Sequence, residues 1–370
     1  MISLDYIPRY YKTLDNQSYL DQDSAKLARS KLMESFKDDG GITYPNDYGG
    51  SYTYGSALVV CLLDVSEERI NRYREICSFD DLYFEKVSYT YSKLLDAYYH
   101  AIEIMQKEDA VIAVRVCNRS NCVIVSIYNY SAETTKWDSV FKESYYCIEG
   151  VETKGGDTSG PGGGSTIKHT YGSETAYRNT SLTCWAYAGS GSNRKYYAVT
   201  SGHYTQNGDP FYYGTAYLGD ASNVVTSNYS DVTIIEYNSS TASLIVSPVG
   251  YIGSGLYWGS STTEVPGEGD NIFLYARGSM RTGEVSAYPA AYKLSFNNNS
   301  ISNALYCSYS NYSVIEGDSG GCVYTITNSV RKLCGIQSHC DGIGCGYAPL
   351  AQNCFASTNL SGVVYSGNEP

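Results

Sequence analysis

Short apolar runs alternate with helical patterns over the first 150 residues. The runs Ala57–Leu63, Ala110–Val116 and Cys122–Tyr128 are rich in β-branched residues and predict strands. Apolar residues recur at helical spacing over Val87–Lys107, which predicts an amphipathic helix. A shorter helix is predicted over Glu67–Glu75, with Asp64 or Ser66 as its N-cap. The N-terminal part of the chain is therefore predicted to be α+β.

The pattern changes downstream to many short strands, which Gly, Asn, Ser and Asp clusters separate. No convincing amphipathic helix intervenes between them. This arrangement predicts an all-β sandwich or barrel. The predicted strands are Tyr196–Thr200, Phe211–Leu218, Asp231–Tyr237, Asn271–Arg277, Gly283–Ala287, Cys322–Ile326 and Leu333–Gln337.

The stretch Lys154–Ser165, KGGDTSGPGGGS, separates these two patterns. Its Gly, Ser and Pro residues leave nothing to bury and little to hold a fixed backbone, so it is predicted to be a linker that proteases can reach. The prediction divides the chain into residues 1–153, a linker over residues 154–165, and residues 166–370.

Charge and cysteine content narrow the classes of function. The formal net charge of the 370 residues is −12, which disfavours nucleic acid as a partner. No window approaches 18 uninterrupted apolar residues, so no membrane span is predicted. Twelve cysteines without CxxC pairs favour disulfides in an oxidising compartment over a metal site, and nine Asn-x-Ser/Thr sequons suit a secreted glycoprotein. The start, MISLDYIPRYYK, shows no signal peptide, which we attribute to a trimmed or misannotated N-terminus.

The pentapeptide Gly317–Gly321, GDSGG, precedes the predicted strand Cys322–Ile326. A serine between such glycines can occupy a tight turn with its own amide and that of Gly317 directed at one oxygen. We therefore predict Ser319 as a nucleophile, with an oxyanion hole formed by Gly317 and Ser319. The alternative interpretation is an ordinary turn between strands.

A serine nucleophile needs an imidazole base and a carboxylate that orients it. Of the four histidines, His203 lies in AVTSGH at the end of an apolar strand, from which its ring could project into a cleft. Asp231 opens the strand DVTIIEY and suits the orienting carboxylate, although Asp209 and Asp220 could compete for that role. The sequence thus predicts a triad of His203, Asp231 and Ser319.

In the order and sequence of TSGH, SDVTII and GDSGG, the chain resembles the chymotrypsin-like serine peptidases, in particular their streptogrisin and alpha-lytic branch. Two further stretches agree, ARGSMRTGEVSA (Ala276–Ala287) and LCGIQSHCDGIGCGYAPL (Leu333–Leu350). The resemblance implies two antiparallel β-barrels with the triad between them. The N-terminal part also resembles that branch's pro-region, which implies an α+β folding assistant and inhibitor that is removed by cleavage in or near Gly155–Ser165.

The chain departs from the family pattern at its cysteines. Tyr204 stands where the family has the Cys that follows the catalytic His, so Cys184 lacks its expected partner. Ile315 replaces a Cys before the nucleophile, and the nearest upstream cysteine is Cys307. Five cysteines precede the linker and seven follow it, which predicts either free thiols or a bridge between the two halves.

The resemblance also places a substrate pocket. Ser313 would lie at its base, and Ser338, His339 and Cys340 would form a wall, with Ser338 contributing main-chain hydrogen bonds to an extended substrate. A neutral base disfavours Lys and Arg and favours an apolar or aromatic residue at the cleaved position. A protonated His339 that recognises an acidic residue is a second version.

The leading hypothesis is thus a secreted serine endopeptidase made as a zymogen, with protein or peptide substrates, its own pro-region as a partner and no cofactor. The first alternative is a catalytically silent homologue that acts as a binding protein. The second is a tyrosine-rich carbohydrate-binding protein, which explains neither GDSGG nor TSGH. No His or Cys cluster has the spacing of a metal site.

Overall fold

The computed structural model describes residues 22–151, 156–157, 166–169, 178–213, 216–237, 251–253, 256–294, 297–310, 313–315, 317–341 and 344–365. Its helices are α1 (Asp23–Ser35), α2 (Glu67–Cys77), α3 (Tyr91–Lys107), α4 (Thr134–Val140) and α5 (Ala351–Thr358). None of the helices in these residues is long and apolar enough to cross a membrane.

The strands up to the linker are β1 (Lys37–Asp38), β2 (Gly41–Ile42), β3 (Tyr48–Tyr54), β4 (Ala57–Leu62), β5 (Leu82–Lys86), β6 (Val111–Cys117), β7 (Cys122–Tyr128) and β8 (Tyr146–Val151), and β9 (Gly156–Asp157) lies within it. The later strands are β10 (Thr166–His169), β11 (Arg178–Ser181), β12 (Cys184–Ala188), β13 (Lys195–Thr200), β14 (Pro210–Tyr213), β15 (Ala216–Ser227), β16 (Ser230–Glu236), β17 (Tyr251–Gly253), β18 (Leu256–Tyr257), β19 (Asn271–Ala276), β20 (Ser279–Lys293), β21 (Ser300–Tyr309), β22 (Cys322–Thr327), β23 (Val330–Ile336), β24 (His339–Cys340), β25 (Gly346–Pro349) and β26 (Gly362–Val363).

The N-terminal region, residues 22–151, combines helices with a two-stranded sheet, a three-stranded sheet and three strands of a larger sheet. Strand β4 pairs with β3 antiparallel and with β5 parallel, while β7 pairs with β6 antiparallel and with β8 parallel. Helix α3 begins at its N-cap Thr90, whose side chain accepts a hydrogen bond from the Lys93 amide over 3.1 Å. Its apolar face, which includes Leu94, Tyr98 and Met105, is buried in the core of this region. The predicted bounds of β4, β6, β7, α2 and α3 lie within four residues of the observed ones, whereas β3, β5 and β8 were not predicted.

The C-terminal region, residues 166–365, is built on two sheets. One has the strand order β11-β10-β14-β15-β16-β13-β12-β26, and the other has the order β23-β22-β19-β20-β21-β25-β24-β9. Strands dominate the described residues and helices are few, which is consistent with a chymotrypsin-like β fold.

The sequence prediction for this region was incomplete. The predicted strand Phe211–Leu218 is divided between β14 and β15, because the chain reverses there and the two strands pair with each other. Helix α5 was not predicted, since its eight residues, AQNCFAST, are too few to show a clear helical period. It buries Ala351, Cys354 and Phe355 in a core between the two sheets.

One sheet extends across both regions. The last part of β20 pairs antiparallel with β6, with Ala291 opposite Val114 and Tyr292 opposite Ala113. Ala291 packs in the N-terminal core, whereas Ala113 packs in a C-terminal core around Tyr292. The two regions therefore share backbone pairing as well as side-chain contacts.

Helix α1 adds buried polar contacts between the regions. Lys26 Nζ donates to Thr325 Oγ1 over 2.7 Å, and the Asn271 amide donates to Gln22 Oε1 over 2.8 Å. Arg29 makes a bidentate ion pair with Asp270, whose side chain is fully buried. Burial raises the pKa of Asp270, but Arg29, with smaller contributions from Lys26 and the Gly267 amide, lowers it by more, so the net pKa lies below its ordinary value.

Glu268 forms a second polar contact beneath the β6–β7 turn. Its carboxylate accepts hydrogen bonds from the amides of Asn118 and Arg119, over 2.6 and 3.1 Å. Burial nevertheless raises the pKa of Glu268 to about 7. Asn118 is itself only 6% exposed, so the sequon at this position is covered in the structure.

Candidate active site

Ser319 lies in a tight turn immediately before β22. Gly317 and Gly320 in this turn have φ of 92° and 77°, a backbone conformation that favours glycine. A Cβ on Gly320 would lie 2.1 Å from both the Ser181 carbonyl oxygen and Thr200 Oγ1. Among the described residues, no hydrogen bond uses the amides of Gly317 or Ser319. Backbone geometry therefore favours glycine at both positions, and within the described residues the amides of Gly317 and Ser319 are available as donors.

Asp318 stabilises this turn through buried polar contacts. Its buried carboxylate makes a bidentate ion pair with Arg281 of β20 and accepts a hydrogen bond from the Ile315 amide over 3.0 Å. Both partners lie in the same region of the chain, so the pair needs no group from the N-terminal region.

His203 and Asp231 are brought together at the ends of two paired strands, β13 and β16. Asp231 Oδ1 accepts hydrogen bonds from the amides of Gly202 and His203, over 2.9 and 2.8 Å. Asp231 Oδ2 lies 2.5 Å from His203 Nδ1. Both side chains are fully buried, so the carboxylate fixes the orientation of the ring and places the proton of the neutral imidazole on Nδ1.

The other ring nitrogen of His203 faces Ser319. Its Nε2 lies 2.6 Å from Ser319 Oγ, which completes a continuous series from Asp231 through His203 to the hydroxyl. Asp220, one of the two competing carboxylates, is exposed, and Asp209 accepts a hydrogen bond from the Gln206 amide over 2.7 Å. The residues predicted for the triad thus meet at hydrogen-bonding distances.

Two further side chains extend this series on the far side of Asp231. Ser338 Oγ donates to Asp231 Oδ2, and Tyr292 Oη donates to Ser338 Oγ over 2.7 Å. All three side chains are buried. Asp231 Oδ2 therefore has two donors, His203 Nδ1 and Ser338 Oγ. Ser338 is in turn oriented by Tyr292 of β20, the strand that pairs with β6.

The predicted pocket residues are distributed around β24. Ser313 is exposed and lies against Gly344, where an added Cβ would approach Ser313 Oγ to 2.5 Å. The Ser338 amide donates to the Tyr347 carbonyl over 3.0 Å, so that N–H is already used. The His339 ring is buried and stacks on Tyr292, with centroids 5.2 Å apart and planes 20° apart.

The linker passes beside this strand. Gly156 is opposite Cys340 and Asp157 is opposite His339 in an antiparallel pair between β9 and β24. The linker was predicted to lack a fixed backbone, but these two residues form a short strand. The remaining residues of Lys154–Ser165 lie outside the described part of the chain.

All twelve cysteines are free thiols in the structure, so the disulfides stay a prediction from composition. Burial raises the pKa of the Cys184 thiol, and it raises that of Cys322 to about 12, which keeps both protonated. Within the described residues, no group of three His, Cys, Asp or Glu side chains could hold a metal ion.

Three solved structures illustrate what the chain is similar to. Thermobifida fusca protease A is 16% identical with a TM-score of 0.39, over 55% of this chain and 98% of that one. A Nocardiopsis protease is 19% identical with a TM-score of 0.38, over 55% and 97%. An alpha-lytic protease homolog, N4, is 20% identical with a TM-score of 0.38, over 54% and 96%. These are serine proteases of the streptogrisin and alpha-lytic type, the branch that TSGH, SDVTII and GDSGG resemble.

Comparison of the sequence with protein-family models and with curated proteins gives no match. The identities and TM-scores of the structural neighbours are too low to carry a substrate or a mechanism to this chain. Activity is therefore inferred from the geometry around Ser319.

Sequence reasoning did not single out three of the residues that surround the triad. Ser201 stands within the TSGH motif, and its hydroxyl lies next to that of Ser319. Arg281 is one of two arginines within ARGSMRTGEVSA, a polar hairpin that gives no sign of which of them is buried. Tyr292 has no sequence signal, because its role depends on how β20 runs past β24.

Proposed function

We propose that the protein is a serine endopeptidase made as a zymogen, in which Ser319 is the nucleophile, His203 the general base and Asp231 the orienting carboxylate. The observation that carries the proposal is the buried series Asp231 Oδ2, His203 Nδ1, His203 Nε2 and Ser319 Oγ, with separations of 2.5 and 2.6 Å. An ordinary turn between strands does not require its serine hydroxyl to lie against a histidine ring that a buried carboxylate holds in place.

The chemistry follows from this order. As Ser319 Oγ attacks a peptide carbonyl, its proton moves to His203 Nε2, and Asp231 stabilises the resulting imidazolium without taking its proton. The amides of Gly317 and Ser319 are the donors for the oxyanion of the tetrahedral intermediate. His203 then gives the proton to the leaving amine, and water repeats the sequence on the acyl-enzyme.

We further propose that residues 1–153 are a pro-region, that residues 166–370 form the two-barrel peptidase domain, and that cleavage falls in residues 154–165. The pairing of Gly156 and Asp157 with β24 supports this proposal, because an extended peptide beside a substrate-binding strand both blocks that strand and presents itself for cutting. An apolar or aromatic residue at the cleaved position of substrates remains our proposed preference, with Ser313, Ser338, His339 and Cys340 around it. Secretion and glycosylation are proposed on the sequence alone.

The test is intact mass after incubation with a fluorophosphonate probe. We expect the wild type and the surface control Ser227→Ala to carry one label and to lose about the first 150–165 residues, whereas Ser319→Ala does neither. A wild-type chain that stays unlabelled, even after an added protease has cut the linker, would instead identify a silent homologue. A panel of peptides that differ only at the cleaved residue tests the preference, and rapid cleavage after Lys or Arg would contradict it.

A further inference from the structure

A second serine hydroxyl touches the nucleophile. Ser201 directly follows β13, two residues before His203, and is only 2% exposed. Its Oγ lies 2.6 Å from Ser319 Oγ, the same oxygen that lies 2.6 Å from His203 Nε2. Ser319 Oγ therefore has two close partners, and the direction of each hydrogen bond follows from the number of protons available.

The position of the proton on the His203 ring determines the direction of the hydrogen bond between His203 and Ser319. Its Nδ1 carries the proton that it donates to Asp231, so Nε2 of the neutral ring can only accept. Ser319 has one hydroxyl proton and must give it to Nε2. The bond between the two serines is consequently donated by Ser201 and accepted by Ser319 Oγ.

The two neighbouring threonine hydroxyls donate their protons to carbonyl oxygens, so neither donates to Ser201. Thr180 Oγ1 donates to the Ser319 carbonyl over 2.8 Å, and Thr200 Oγ1 donates to the Ser181 carbonyl over 2.8 Å. Thr180 Oγ1 is the only other side-chain partner described for the Ser201 hydroxyl, and at 3.4 Å it is farther away than Ser319 Oγ.

We propose that Ser201 is a further catalytic residue, whose hydroxyl donates a hydrogen bond to Ser319 Oγ and stabilises the negative charge on that oxygen when the acyl-enzyme breaks down. This inference rests on the proposed peptidase function and adds a residue to it.

The effect differs between the two halves of the reaction. Before acylation, Ser319 Oγ is a hydroxyl oxygen and already a good acceptor, so Ser201 stabilises the ground state and the transition state alike. In the acyl-enzyme the same atom is an ester oxygen, which is a poor acceptor. As the tetrahedral intermediate collapses, the C–Oγ bond breaks, its electron pair goes to Oγ, and the proton on His203 Nε2 moves to that oxygen. Ser201 keeps its own proton throughout, and its bond is strongest when Oγ is most negative.

The test separates deacylation from acylation with p-nitrophenyl acetate, whose burst reports acylation and whose steady state reports deacylation. It compares the wild type, Ser201→Ala, Ser201→Cys and the control Ser227→Ala, at the exposed last residue of β15, as full chains in the same state of processing. Fluorophosphonate labelling of each variant gives an independent measure of the triad.

We expect Ser201→Ala to deacylate more slowly by about 10- to 100-fold, while acylation and fluorophosphonate labelling stay within about threefold of the wild type. Ser201→Cys has nearly the same volume but a weak donor, so its deacylation rate is expected to lie between the two. It also decides the question if the alanine variant fails to fold.

An unchanged deacylation rate, or an equal fall in both steps, would overturn the role of Ser201 while leaving the peptidase intact. A wild type that neither labels nor shows a burst would overturn the proposed function instead.

Discussion

The phenol oxygen of Tyr292 lies 2.7 Å from Ser338 Oγ, and Ser338 passes a hydrogen bond on to Asp231 Oδ2. Tyr292 itself lies opposite Ala113 of β6, at the seam between the N- and C-terminal regions. A tyrosine at the boundary of the two regions is thereby connected, through one serine, to the carboxylate that holds His203, the proposed catalytic base.

Replacing Tyr292 by Phe removes this donor and keeps the stacking on His339. Ser338 then donates more weakly to Asp231, because hydrogen bonds in a chain strengthen one another. We expect kcat to fall by about 3- to 10-fold with KM nearly unchanged, and the acidic midpoint of kcat/KM to rise, since a less neutralised Asp231 holds the imidazolium more firmly. Tyr324→Phe, which removes a buried phenol of the C-terminal region that donates to Met280 Sδ over 3.3 Å, is the control. Equal changes in the two variants would show that only packing is involved.

The ion pair of Arg281 and Asp318 is expected to hold the turn that carries Ser319. In Arg281→Met, the Asp318 carboxylate stays buried without its partner, which destabilises a folded protein by about 3–5 kcal/mol. We expect this loss in urea unfolding, together with a large fall in the rate of fluorophosphonate labelling. The double variant Arg281→Met/Asp318→Asn removes the buried charge and should recover much of the stability. Normal labelling of Arg281→Met would contradict the role of the pair.

Gly320→Ala tests whether the turn itself requires glycine. The added Cβ would meet both Ser181 O and Thr200 Oγ1, in addition to the strain of φ at 77°. Gly208→Ala is a matched control, because its φ is 91° and nothing lies within 4 Å of the added atom. We expect about 1 kcal/mol of destabilisation for Gly208→Ala. For Gly320→Ala we expect a much larger loss and no labelling, and similar stabilities of the two variants would disprove the steric argument.

The buried Glu268 predicts how pH affects the contact between the two regions. Its pKa is raised to about 7 in the contact, above the ordinary value of about 4.3 that it regains when exposed. A raised pKa contributes stability at low pH that is lost as pH rises toward the raised value. We therefore expect the cut N-terminal region to bind more weakly, by more than about tenfold, as pH rises from 5 to 8.

Analytical ultracentrifugation of the processed chain measures this binding. Glu268→Gln should remove the dependence between pH 5 and 8, because the amide does not titrate. Asp270 acts in the opposite direction, since its lowered pKa contributes stability above its ordinary value of about 3.9 that is lost in stronger acid. Binding in the wild type that does not change between pH 5 and 8 would contradict the role of Glu268.

The parts of the fold that sequence reasoning located are those with strong local signals. Strand β7 matches its predicted range, and α3 differs from its prediction only in starting at Tyr91, because Thr90 caps it. Local reasoning failed at β20, where the prediction ended at Ala287 and the strand continues to Lys293. Pro289 lacks an N–H and ordinarily ends a strand, but here the β20–β21 pairing shifts register around it.

The candidate site divides in the same way. Ser319, His203 and Asp231 stand in sequence motifs that chemistry explains, so their meeting could be predicted. Ser201, Arg281 and Tyr292 act through contacts between segments far apart in the chain, and a single sequence does not show which polar residue will be buried beside which. Ser201 was the easiest of the three to predict, because its position in TSGH places it two residues before His203.

The two strands that pair across the regions, β6 and β20, are synthesised at different times. Synthesis runs from the N-terminus, so β6 leaves the ribosome well before residues 290–292 of β20. The later strand meets a sheet edge on its own chain. Its effective concentration there is one that two separate molecules reach only in concentrated solution. If the proposed cleavage separates the two parts, an unfolded C-terminal region would have to find that edge again by diffusion.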